Sequence, residues 1–86
     1  MLRSIPCAVR ESPEFLAQAT EVFGSIPQWD EIKWAIEFTL ARDPTAVDII
    51  AGTPNWRGVT LLTSPPRTLC FRYDETDDVI YLEALF

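Results

Sequence analysis

The stretch ESPEFLAQATEVFGSIPQWDEIKWAIEFTLARDP, residues 11–44, holds two helix signatures in succession. Ser12 can cap free backbone N–H groups, Pro13 has the φ of a first helical position, and Glu14 suits the positive end of the helix dipole. Phe15, Ala19, Val22 and Phe23 then recur at i, i+4, i+7 and i+8 as one apolar stripe, and Gly24 is a natural left-handed stop. The spacing predicts a helix over 13–23. After the turn Ser25-Ile26-Pro27, a second helix is expected from about Pro27 or Gln28 to Arg42. Trp29, Ile32, Ile36 and Leu40 (with Ala35 and Thr39) line its inner face. Asp43-Pro44 ends it, because a residue before proline avoids the α region. Two helices joined this closely pack as an antiparallel hairpin.

The flanks of this stretch read as β structure. Residues 5–11 suit a short strand, with Pro6 confined to an edge or to its first positions. Gly52-Thr53-Pro54-Asn55 is a turn cluster, 59–63 a strand, and Ser64-Pro65-Pro66 a connection. A second strand covers 68–73, opened by Arg67, and a third covers 79–85 after the acidic tip Asp74-Glu75-Thr76-Asp77-Asp78. That tip lacks the ligand spacing and central glycine of a calcium loop and reads as a solvated hairpin turn. The predicted order is β-α-α-β-β-β. It describes an α+β fold over 1–86, a single domain with a helical hairpin packed on one face of an antiparallel sheet.

Length and charge narrow the function. At 86 residues the chain has room for one small core. No apolar stretch reaches the ~18 to 20 residues of a membrane span, and the N-terminus Met1 to Pro6 has no apolar leader, so no membrane partner is expected. Cys7 and Cys70 are too few for a disulfide scaffold and lack metal spacing, which suits a reduced, cytoplasmic protein. Histidine is absent, which removes imidazole acid–base chemistry and imidazole metal sites. Thirteen acidic residues face seven basic ones, a net charge of -6. Bulk charge therefore disfavours nucleic acid, although Arg57, Arg67 and Arg72 cluster in the last third.

Few side chains invite a chemical role. Glu11, Glu37 and Glu83 are carboxylates without a paired motif and read first as solvated charges. Lys33 has Glu37 at i+4, the spacing of a surface ion pair. Cys70 sits in an alternating strand and reads as packing. Trp34 lies off the apolar stripe of its helix, either half-buried at the helix edge or part of a partner surface. Arg67 and Arg72 stand an odd number of residues apart, so a regular strand points them to opposite faces. Arg57 and Arg67 can converge across neighbouring strand ends, which makes them the best anion site, against the alternative of salt bridges to the abundant acids.

The order of these motifs resembles the RelE/HigB-like toxins of the RelE/ParE superfamily. Val9-Arg10-Glu11-Ser12-Pro13-Glu14-Phe15 is similar to that family's strand running into a Ser/Thr-Pro-Glu-Phe helix start. Ile36-Glu37-Phe38, Asp43-Pro44 and Ile50-Ala51-Gly52-Thr53-Pro54-Asn55-Trp56-Arg57 are similar to its second-helix end and Gly-Thr/Ser-Pro loop. Residues 67–73 with Val79-Ile80-Tyr81-Leu82 are similar to its final hairpin. The resemblance implies the toxin half of a type II toxin–antitoxin pair, with a cognate antitoxin as partner, mRNA on the ribosome or, as in the ParE branch, gyrase as target, and a possible homodimer. No cofactor and no metal are expected. The resemblance places Arg67 on the scissile phosphate with Arg57 assisting, and leaves Tyr81 or a carboxylate to move the proton. Gly58, Val59 and Thr60 stand where relatives often carry basic residues, Phe86 stands where some place a tyrosine, and most relatives are basic. Cleavage of mRNA is accordingly expected to be weak or lost, with a non-catalytic protein-interaction module as the alternative.

Overall fold

The computed structural model describes residues 5–63 and 65–86. Residues 1–4 of the N-terminal reading and Ser64 of the expected connection lie outside the described residues. The elements are β1 (Ala8–Glu11), α1 (Pro13–Phe23), α2 (Ile26–Thr39) with a 3₁₀ turn at Leu40–Arg42, β2 (Trp56–Leu61), β3 (Arg67–Asp74) and β4 (Val79–Leu85). The predicted α+β order β-α-α-β-β-β is thus present.

Helix α1 has the predicted bounds because its caps act as the sequence implies. The Ser12 hydroxyl accepts from Phe15 N at 3.0 Å, and Gly24 closes the helix at φ 84°. Helix α2 begins a residue earlier than expected because Ser25 is its cap, accepting from Gln28 N. Its predicted last residues tighten into the 3₁₀ turn before Pro44. Strand β1 starts later than expected. Pro6 has no N–H to give, and Cys7 N donates to Ala41 O at 2.9 Å, tying the approach to the end of α2 instead of to the sheet. Strand β2 starts earlier than expected. Asn55 turns the chain at φ 64°, and Ile49–Ile50 then pairs with Trp56–Arg57 across an isolated bridge.

The sheet runs in the order β1-β4-β3-β2, with β2, β3 and β4 antiparallel as predicted. Short connections force that alternation. Strand β1 lies parallel to β4, so the sheet is mixed; the crossover that a parallel neighbour requires is supplied by the helices and the intervening strands. A β-bulge sets the inner face of β4. Opposite β3 the register jumps from Phe71–Leu82 to Cys70–Ala84, leaving Glu83 as the extra residue. Ile80 and Leu82 point inward before the bulge and Leu85 after it. These three pack with Leu69 and Phe71 against Phe15, Trp29 and Ile36 of the helices. Trp29 is fully buried, its ring lying 5.4 Å from Phe15 and 5.9 Å from Phe23.

Glu11 joins sheet to helix. Its carboxylate accepts from Trp29 Nε1 at 2.8 Å and from Lys33 Nζ at 3.0 Å. Lys33 therefore pairs with the end of β1 rather than with Glu37 on its own helix, and the same carboxylate fixes the indole of the central tryptophan. On the far side, β2 is an edge strand. Beside it a groove of about 430 Å³ opens toward α2, lined by Ile32, Ile36 and Leu40 and by Val59, Leu61 and Leu62. Leu62 is 97% exposed.

Candidate functional site

Alternation along the strands gives the sheet a second face, turned away from the helices. Register alignment puts Arg10 of β1 beside Tyr81 of β4, Tyr81 beside Arg72 of β3, and Arg72 beside Trp56 of β2. The four side chains form a row across the whole sheet, and none of them is buried. The Arg72 guanidinium lies 4.6 Å from the centre of the Tyr81 ring, a cation–π contact. Its Nε is 3.5 Å from Glu83 Oε1. The bulge makes this possible: Glu83, the extra residue, turns to the same side as Tyr81 and meets Arg72.

The neighbouring row across the sheet is built from small residues, Gly58, Cys70 and Ala84. Ile50 from the loop before β2 packs over it, and a Cβ added at Gly58 would come within 3.0 Å of Ile50 Cδ1. Cys70 is covered, and burial pushes its thiol pKa up, which keeps it protonated and unreactive. Its reading as packing agrees with that environment.

The residues expected to act together are divided by the sheet. Arg57 pairs with Phe71 and Arg67 with Leu61, so both stand on the helix side, four rungs apart. That is about 13 Å along the strand, so the register alone does not bring them together. Arg57 Nη1 donates to the Val47 carbonyl, which anchors the loop before β2. Arg67 and Arg72 do point to opposite faces, as the odd spacing requires. Tyr81 is thus on the open face with Arg72, and Arg67 and Arg57 are not. Sequence reasoning missed Arg10 and Trp56 because register across strands is non-local. The bulge shows in the burial along β4, where the buried residues fall at 80, 82 and 85 and break strict alternation.

The acidic tip closes the β3–β4 hairpin. Asp74 Oδ1 accepts from Thr76 N and Asp77 N, and the Tyr73 hydroxyl donates to Asp78 Oδ1 at 2.7 Å. Among the described residues no group of His, Cys, Asp and Glu has the arrangement of a metal site. Among the described residues no helix is long and apolar enough to cross a membrane.

Chemically, the open face offers two arginines to neutralise anionic charge, two aromatic rings to stack on planar groups, and a tyrosine hydroxyl and a carboxylate to move protons. Comparison with known proteins places the scaffold. No protein-family model matches the chain, and no curated protein matches it by sequence. Among solved structures it is similar to an arginine-substituted mutant of the E. coli toxin RelE in the free state, with a TM-score of 0.71 at 11% identity over 93% of this chain and 81% of that one. It is also similar to a chain of the toxin–antitoxin complex RelBE2 from Mycobacterium tuberculosis, with a TM-score of 0.66 at 15% identity over 100% of this chain and 95% of that one. Two helices on a four-stranded mixed sheet, superposing on these structures over nearly the whole length of this chain, give it the RelE-like toxin fold.

Proposed function

We propose that this chain is the toxin half of a cytoplasmic toxin–antitoxin pair, that an antitoxin protein is its partner, and that its open sheet face turns toward ribosome-bound mRNA. The observation that carries the reading is the Arg10–Tyr81–Arg72–Trp56 row, on a fold shared with RelE. Single-stranded nucleic acid is held by stacking bases on aromatic rings while cations follow the backbone, and the row supplies both. In this reading the phosphate falls to Arg72 and Arg10. Arg57 anchors the loop before β2 instead, and Arg67 stands on the other face from Tyr81.

Cleavage is weak in this proposal. Attack by a ribose 2′-hydroxyl needs one group to take a proton and another to return one to the leaving oxygen. The chain has no histidine, and its single lysine, Lys33, is engaged by Glu11 on the helix side. The proton steps are left to Tyr81 and to Glu83, whose carboxylate is already paired with Arg72. A net charge of -6 further slows approach to dense phosphate. A second reading, a protein-interaction module without catalysis, is favoured by the exposed aromatic pair Trp34 and Phe38.

The test is translation of a reporter mRNA in a bacterial extract containing the purified chain. The expected result is inhibition with little mRNA cut, relieved by Arg72→Ala. Efficient codon-phased cleavage abolished by Arg67→Ala and untouched by Arg72→Ala would overturn the assignment of the open face. No inhibition by a folded chain would favour the interaction module.

A further inference from the structure

Helix α2 is apolar on two sides. Its inner side holds Trp29, Ile32, Ile36 and Leu40 against the sheet, yet Trp34 and Phe38 on its outer side are 66% and 56% exposed. The exposed rings stack on each other at 5.6 Å, and the Arg42 guanidinium lies 5.0 Å over Phe38. Arg42 Nε is buried with no hydrogen-bond partner. On a helix whose other outward positions carry Gln28, Asp30, Glu31 and Glu37, two stacked aromatic rings left in solvent form an apolar patch rimmed by polar groups, the pattern of an interaction surface. Exposed tryptophan next to arginine is also the composition of interface hot spots.

The spacing of the stripe identifies what fits. Asp30, Trp34, Phe38 and Arg42 follow one another at four-residue steps, an acid at one end and a base at the other with two aromatics between. When such a stripe meets its own copy head to tail, Trp34 faces the partner's Phe38 and Asp30 faces the partner's Arg42. Both contacts occur twice about a two-fold axis near Ile36. A two-fold interface must be self-complementary in this way. Glu37 then falls level with the partner's Ala35, and Ala41, level with the partner's Glu31, is buried within its own chain, so the register sets no acid against an acid despite the net charge.

We propose that a second copy of this chain covers the outer side of α2, in an antiparallel helix-to-helix homodimer centred on Trp34 and Phe38 and closed at each end by an Asp30–Arg42 pair. The proposal is independent of the toxin reading, since it uses no residue of the open sheet face.

Sedimentation of the full chain gives the first test, and a dimer at micromolar concentration is expected. Trp34→Glu should leave a folded monomer, because the residue is exposed and touches the core little. Asp30→Arg alone puts like charges together and should weaken the dimer by roughly tenfold. The double exchange Asp30→Arg with Arg42→Asp should restore it. Should the double variant fail to fold, a spin label at Glu31→Cys serves instead; the antiparallel pairing puts two labels about 15 Å apart along the helix axis. A monomeric parent, a dimer indifferent to Trp34→Glu, failure of a folded double variant to recover, or labels far outside that separation would each overturn the proposal. A monomer that covers the same residues only when an antitoxin is added would assign the surface to that partner instead.

Discussion

On the helix-covered face of the sheet, Leu69, Phe71, Ile80, Leu82 and Leu85 are all buried, whereas in the Arg10–Tyr81–Arg72–Trp56 row of the open face no side chain is. The same strands carry both sets at alternating positions, so the two faces share one backbone and are subject to different physics. Volume decides the first face, where a missing ring leaves a cavity that neighbours cannot fill. Charge and ring orientation decide the second, where water replaces whatever is removed. Substitutions on the covered face should therefore appear as lost stability, and those on the open face as lost function at unchanged stability.

Four substitutions test that separation, from the largest effect on stability to the smallest. Phe71→Ala, at the centre of β3, should cost about 3–5 kcal/mol, enough to leave a chain of this size barely folded. Urea unfolding measures it, and a midpoint near the parent's would show that the core does not rest on β3. Glu11→Ala removes the acceptor of the Trp29 indole and the partner of Lys33, and should cost about 1–3 kcal/mol because the indole N–H stays buried. Should Glu11→Ala prove neutral, the clamp between β1 and α2 is dispensable. Ser12→Ala removes the cap of α1 and should cost about 0.5–2 kcal/mol by the same measurement; equal midpoints would deny the cap. Arg72→Ala should cost under about 1 kcal/mol, since its ion pair is partly exposed, while relieving inhibition in the translation extract. A large loss of stability with Arg72→Ala would erase the contrast between the faces.

The parts of the fold legible in the sequence are those whose determinants are local. Helix α1 is fixed by Ser12, Pro13 and Gly24 within a few residues of its ends, and β3 and β4 by alternation around a short acidic tip. What could not be read is set by partners distant in sequence. Lys33 looks like the partner of Glu37 by helix spacing alone, and only the arrival of β1 offers it Glu11. Arg57 and Arg67 look convergent on adjoining strands until the register places them four rungs apart. The parallel partner of β1 was illegible for the same reason, because a strand separated from the hairpins by two helices carries no turn to fix its direction. Of the candidate site, Tyr81 was named from the sequence and Arg72 was placed on the opposite face from Arg67. Their meeting with each other depends on one extra residue in β4.

The outer edge of β2 has a consequence for how the protein behaves in bulk. From Gly58 to Thr63 the sequence has no charged residue, and Leu62 stands almost fully in solvent. Strand edges normally carry a lysine, a proline or a tight bulge that discourages another strand from adding to them. Here the restraint acts at long range, since a net charge of -6 makes every molecule repel every other. That repulsion reaches about 30 Å at 0.01 M salt and about 3 Å at 1 M. Colloidal stability of the purified chain should therefore be a function of ionic strength, with turbidity rising as salt is added.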